Sequence, residues 1–356
     1  MTIPPGLVGI KQKQAVANIE NLNKGNLILG RLSALKTFGI PFTDNPFLRM
    51  LLILSFFVLS AAFIPFVGFI FLFFLPLIIF FYGIVAGPVK TAAAFVIPLL
   101  LILLFSQLLQ FYTPYPVIVI LGIVGMTMSA VASNDKSIEK TVVYPALIII
   151  GAISTFFIYS GFLLSVHPWK LVQQFVEKII ELNINFYAQL PLDKEEISSM
   201  KNSKPVLVSF FTGIFPALII IKSVFIVWIN VLIGRENLRK KAITFPRLEG
   251  LSQWRAPEFL IWIFILSGGL LLYPIEQARF LSMNIFIFAC FIYLLQGLAI
   301  LSFLFQKKNV PTFFRYIFYF LIAVQQFLMI PVIIVGLFDI WVDFRKYINK
   351  NQPVNE

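Results

Sequence analysis

The chain has 356 residues, 59% of them hydrophobic and 12% charged, and a formal net charge of +12. A soluble domain is roughly half apolar and about a quarter charged, so this chain carries more apolar surface than a soluble core would bury. One cysteine, Cys290, and one histidine, His167, exclude an internal disulfide, a thiolate metal site and imidazole ligand clusters. Apolar runs of about 18 residues or more recur, which predicts transmembrane helices. The runs are too continuous for a barrel, whose strands alternate apolar and polar residues. The basic residues cluster in short segments between the runs, as the positive-inside rule requires. The charge therefore points to topology and to anionic lipid headgroups, not to nucleic acid.

Residues 1–48 are polar and basic, with Lys11, Lys13, Lys24, Arg31 and Lys36, and contain no cleavable apolar core. They predict a cytoplasmic tail. A five-span region, 49–165, follows. Met50 to Ala86 is uncharged and too long for one crossing, and Pro65 and Gly68 divide it into spans near 49–64 and 67–86. Gly87-Pro88 is a turn, and Lys90 places it in the cytoplasm. The third span, near 91–110, opens on Ala92, Ala93 and Ala94, a small-residue face suited to close helix packing or to a partner subunit. The fourth and fifth spans are expected near 116–132 and 142–165.

Residues 166–205 balance five lysines against five acids. Trp169, Val172, Phe175, Val176, Ile179, Leu182, Phe186 and Leu190 recur at three- and four-residue steps with polar residues between, predicting an amphipathic interfacial helix outside the membrane. A four-span region, 206–346, comes next, with spans near 206–233, 258–273, 282–304 and 313–338, and a polar tail, 347–356. The loop with Arg235, Arg239, Lys240, Lys241, Arg247 and Arg255 is the strongest inward signal. The expected architecture is thus an all-α bundle of about nine spans with the N-terminus inside, or eight. Nine spans send the C-terminus outside, whereas Arg345, Lys346 and Lys350 ask for the inside.

Lys222 lies mid-span, about 20 Å along a helix from Arg235. A charge there costs roughly 2.5 kcal/mol or more unless it is paired or faces water. Either it is held by carbonyls or by amides such as Gln107, Gln296 or Gln325, or it faces a cavity that receives an anion. Asn284 is a further polar candidate, for interhelical bonding or for a substrate path. Asp339 and Asp343 stand at i and i+4, a spacing that puts them on one helix face beside Lys346, with Trp341 and Arg345 completing the motif. Two carboxylates do not make a metal site, so the motif predicts a salt bridge or docking onto a basic cytoplasmic loop. Glu258 is the expected partner of Arg255. The sequence has no phosphate-binding loop, dinucleotide fingerprint, nucleophile elbow or zinc-protease motif, so no enzyme activity, catalytic residue, metal or cofactor is expected.

Ala256-Pro257-Glu258, Ile261-Trp262, Leu281-Ser282-Met283-Asn284, Tyr293 to Ile300, and Gly336-Leu-Phe-Asp339-Ile-Trp341-Val-Asp343-Phe-Arg345 resemble the YybS-like family of bacterial polytopic membrane proteins. That resemblance implies the inner membrane and a domain of unknown function. Leu75-Pro76-Leu77, Gly83 and Gly87 before an alanine-rich span are similar to the early helices of substrate-binding subunits of energy-coupling-factor transporters. The expected function is a small-molecule transporter or its membrane substrate-binding subunit. The alternative is a non-catalytic scaffold or assembly factor with basic docking loops.

Overall fold

Lipid offers no partner to a free N–H or C=O, so each apolar run must close its hydrogen bonds within a helix. The computed structural model is helical in this way, and it describes residues 45–64, 67–109, 113–134, 137–190, 193–243, 251–273 and 275–350. Most of the basic tail expected over 1–48, the residues after 350, and Arg247 lie outside the described residues. The helices are α1 (Pro46–Phe63), α2 (Gly68–Val85), α3 (Pro88–Leu109), α4 (Tyr115–Ser133), α5 (Ile138–Leu164), α6 (Pro168–Tyr187) and α7 (Lys194–Gly213). They continue as α8 (Phe215–Arg239), α9 (Leu260–Leu270), α10 (Glu276–Lys307), α11 (Thr312–Val324), α12 (Met329–Val342) and α13 (Phe344–Lys350).

Among the described residues, seven helices are long and apolar enough to cross a membrane: α1 to α5, α8 and α10. The pair α11 and α12 makes an eighth if counted as one span, but it is bent by 106° at Gln325. A ninth requires α9, whose 11 residues reach only about 16 Å. That is about half of a hydrocarbon core. The sixth apolar run also differs from its expected bounds. The span begins at Phe215, and the residues up to Gly213 belong to α7.

The chain divides into two compact units, Met1–Ile149 with Val224–Leu248, and Ile150–Ser223 with Glu249–Glu356. They interleave along the sequence, since α5 and α8 each pass from one into the other. In the first unit α2 is the central helix, with Leu75, Ile79, Phe80 and Ile84 fully buried, and it packs chiefly on α4. Small residues make that contact close. A Cβ on Gly125 would lie 2.8 Å from the Pro76 carbonyl oxygen, and one on Gly83 would strike Ser129. Pro76 removes one rung of the α2 ladder. The neighbouring Phe73 carbonyl accepts from Asn230 Nδ2 of α8 at 3.0 Å.

In the second unit α6 starts at Pro168, with His167 Nδ1 capping the Trp169 N–H at 3.2 Å. Its surface has three sides. Val172, Val176, Ile180 and Ile184 are buried with Val208 of α7. A polar side carries Glu177 and Glu181, which hold Lys204 of α7 at 3.1 and 3.5 Å. Phe175, Ile179, Leu182 and Phe186 form a third, exposed apolar side, which suits the bilayer interface.

The packing of α4 yields a paired test. Gly125→Ala should destabilise the protein by about 1–3 kcal/mol through overpacking. Gly151→Ala in α5 meets nothing within 4 Å and should be neutral or slightly stabilising. Thermal unfolding of the two purified variants distinguishes them, and equal losses would contradict the close α2–α4 contact.

Candidate functional site

Two glycines build the centre of the second unit. A Cβ on Gly297 of α10 would sit 2.1 Å from the Val332 carbonyl oxygen, and one on Gly336 of α12 would sit 2.0 Å from that of Tyr293. The two helices therefore touch backbone to backbone, as small residues permit in membranes. This close crossing brings Asp339 of α12 to Gln296 of α10. Both are almost wholly buried, at 1% exposure each.

The helix ends beyond Asp339. Asp343 adopts a left-handed conformation, φ 45°, and its N–H returns to the Asp339 carbonyl at 3.0 Å. The chain reverses there into the short α13, and Arg345 reaches back. The turn corrects the expectation that Asp339 and Asp343 share one helix face: Asp339 is buried, whereas the Asp343 side chain is 36% exposed. The shared-face reading fails because Asp343 is the cap that stops the helix, not a residue within it.

Arg345 is 5% exposed, and each of its three guanidinium nitrogens donates a hydrogen bond. It donates to Asp339 Oδ2 at 2.8 Å, to the Ser252 carbonyl at 3.0 Å and to the Trp254 carbonyl at 2.8 Å. Asp339 also accepts from Gln296 Nε2 and from the Phe344 N–H, both at 3.1 Å. Gln296 Oε1 in turn accepts from the Ala256 N–H at 3.1 Å. These bonds converge on Leu251–Ala256, a single 3₁₀ turn followed by non-helical chain, just before the short α9. Buried backbone without helical partners has to be satisfied by side chains. The Asp339–Arg345 pair and Gln296 do so here, and each charge of the pair offsets the other. Arg255 pairs with Asp343, not with the expected Glu258. The motif thus docks onto the arginine-bearing segment before α9.

Asn284 repairs a second interruption. Pro216 and the break at Ile214 open the bond that would join Gly213 to Ala217. The Asn284 side chain inserts into it, accepting from the Ala217 N–H at 2.9 Å and donating to the Gly213 carbonyl at 2.8 Å. Lys222, in α8, is exposed, with no hydrogen bond or ion pair among the described residues. Gln107 is exposed on α3, and Gln325 is exposed at the bend between α11 and α12. Trp341 is 60% exposed, its ring 5.7 Å from that of Phe338. Of the Ala92–Ala94 face, Ala94 is buried within the first unit and Ala93 is exposed. Among the described residues no group of three or more His, Cys, Asp or Glu could hold a metal. The structure thus gathers Gln296 with the Asp339–Arg345 motif and leaves Lys222 and Gln325 out of that cluster. The part played by Ser252, Trp254 and Ala256 is carried by backbone atoms, which no residue identity announces.

A family model described as a predicted membrane protein (DUF2232) matches residues 52–340, and the chain belongs to that family. No curated protein and no solved structure matches it.

Removing one partner from a buried ion pair leaves an uncompensated charge. Arg345→Met should cost about 3–5 kcal/mol, seen as a lower thermal midpoint in detergent. Combined with Asp339→Leu, the loss should fall well short of the sum of the single losses. Strict additivity would mean that the two side chains act independently.

Proposed function

We propose that this DUF2232 membrane protein is a small-molecule transporter or the membrane substrate-binding subunit of one, resident in the bacterial inner membrane as a YybS-like protein. The supporting observation is the run of interruptions in the second unit. The helical ladder opens at Ile214, the chain is non-helical before the half-length α9, and α11 and α12 meet at 106°. In secondary transporters, discontinuous helices of this kind supply polar groups near the bilayer midplane, where substrates and coupling ions bind. The likeness of Leu75 to Gly87 to energy-coupling-factor subunits fits the same reading. Lys222, exposed in an apolar helix, is the group assigned to an anionic part of the substrate. Chemistry on the substrate has no assigned residue, so the reading is non-enzymatic.

The scaffold reading has its own supporting observation. Asn284 is spent on backbone bonds and Gln296 on the Ala256 N–H and Asp339, which is what holding a structure together requires. A thermal-shift screen of the purified protein against metabolite pools, followed by uptake into proteoliposomes, separates the two. Transport predicts at least one anionic metabolite that raises the midpoint. It also predicts that Lys222→Leu leaves the unliganded midpoint equal or higher and abolishes that shift. A screen in which nothing shifts the midpoint favours the scaffold.

The orientation proposed here keeps the N-terminus in the cytoplasm. The crossing before α10 is then made by the extended segment and α9 together, and the bent pair returns to the side it left. That gives eight crossings and a cytoplasmic C-terminus. A reporter fused after Glu356 should have the same sidedness as one inserted between Ala242 and Leu251, and opposite sidedness would overturn this path.

A further inference from the structure

We propose that the wedge between α10, α11 and α12 is a binding site for one anionic phospholipid. The wedge is lined only by apolar side chains, among them Leu301, Phe318, Ile322, Leu328, Pro331 and Val332. Two rows of side chains lead from it toward the α10–α11 connection. On α10, Leu301 and Phe305 follow one another at i and i+4, and Lys308 is the cap at that end of the helix. On α11, Arg315, Phe318 and Ile322 follow at i, i+3 and i+7. The rows face each other, since the Phe305 and Phe318 rings meet at 5.3 Å and those of Phe305 and Tyr319 at 6.0 Å. Each row ends in a cation toward the α10–α11 connection, Lys308 on one side and Arg315 on the other. Arg315 is oriented by its Nε, which donates to the Val310 carbonyl at 2.7 Å.

Charge selects the occupant. No aspartate or glutamate occurs between Glu276 and Asp339, while Lys307, Lys308 and Arg315 lie within that stretch. Lys307 and Lys308 pair with no carboxylate among the described residues. A second copy of the chain would bring the same uncompensated cations to this end. A phosphodiester brings the missing negative charge, and its acyl chain fills the apolar wedge beneath. The rest of α11 matches this placement. Phe313, Phe314, Tyr316 and Phe320 are exposed on the same helix as Arg315. Aromatic residues beside basic ones are what the membrane interface favours.

The test uses purified full-length protein in neutral detergent and three additions: dioleoyl phosphatidylglycerol, dioleoyl phosphatidylcholine, and inorganic phosphate at matched concentration. Phosphatidylglycerol should raise the thermal midpoint by about 4 °C when it is ~100-fold above its Kd. The other two additions should give less than half of that. The K308Q/R315Q variant should lose the difference between the lipids, while K308R/R315K keeps it, which separates lost charge from lost folding. Leu301→Trp, which fills the wedge, should also remove it. Equal shifts with both lipids would overturn the proposal. So would the full shift from inorganic phosphate alone, which marks a free-anion site, or a K308Q/R315Q variant that retains the preference.

Discussion

Away from water, every backbone N–H and C=O that a helix does not satisfy needs a side chain, and this requirement organises the second unit. The Leu251–Ala256 segment runs beside α10 as one 3₁₀ turn followed by non-helical chain. Its Ser252 and Trp254 carbonyls are met by Arg345 and its Ala256 N–H by Gln296. Arginine suits this position because a planar guanidinium presents several donors in fixed directions. One group spans two carbonyls and a carboxylate, which a lysine ammonium cannot cover in that geometry. Asp339 is the matching acceptor, and it also holds Gln296 in place. The network rests on the glycine crossing, because larger residues at 297 and 336 would push α12 away from α10 and carry Asp339 with it.

The same solution recurs at smaller scale. Asn284 closes the gap between Gly213 and Ala217, and Asn230 takes the Phe73 carbonyl near Pro76. Each is an uncharged carboxamide; Asn284 accepts and donates at once, whereas Asn230 donates to the Phe73 and Ile226 carbonyls. Interhelical bonds of this kind in membranes contribute roughly 0.6–2 kcal/mol each. Their larger effect here is geometric, since each ties one helix to the backbone of another.

Much of the architecture was legible from composition and punctuation. The first five spans fall where the apolar runs are divided by Pro65, Gly87-Pro88, Pro114 and the charged segment after Ser133. The amphipathic helix at 168–187 was legible as well, because its apolar period is 3.6 and it begins at a proline. The later spans were less so. Hydropathy counts apolar residues and is blind to axis direction, so 313–338 looks like one crossing although Gln325 and Gln326 mark a 106° bend. The short α9 belongs to an apolar run whose start is set by contacts with residues 296 and 345, far away in sequence. The C-terminal motif was recognisable as a docking element. Its geometry was not, because spacing alone cannot show that Asp343 turns left-handed and ends the helix.

The bend also bears on the charge conflict at the C-terminus. A straight last helix would separate Arg345 from the basic loops by a membrane thickness. Arg345 instead bonds the Ser252 and Trp254 carbonyls, and Arg255 pairs with Asp343. The closing motif and the segment before α9 therefore occupy one place. A chain that leaves α10 and must come back to this place cannot run straight. The turn at Asn309, with φ 49°, and the bend at Gln325 provide the return. The segment before α9 is met by a charged group, and that group is supplied by the end of the chain that the bend brings back to it.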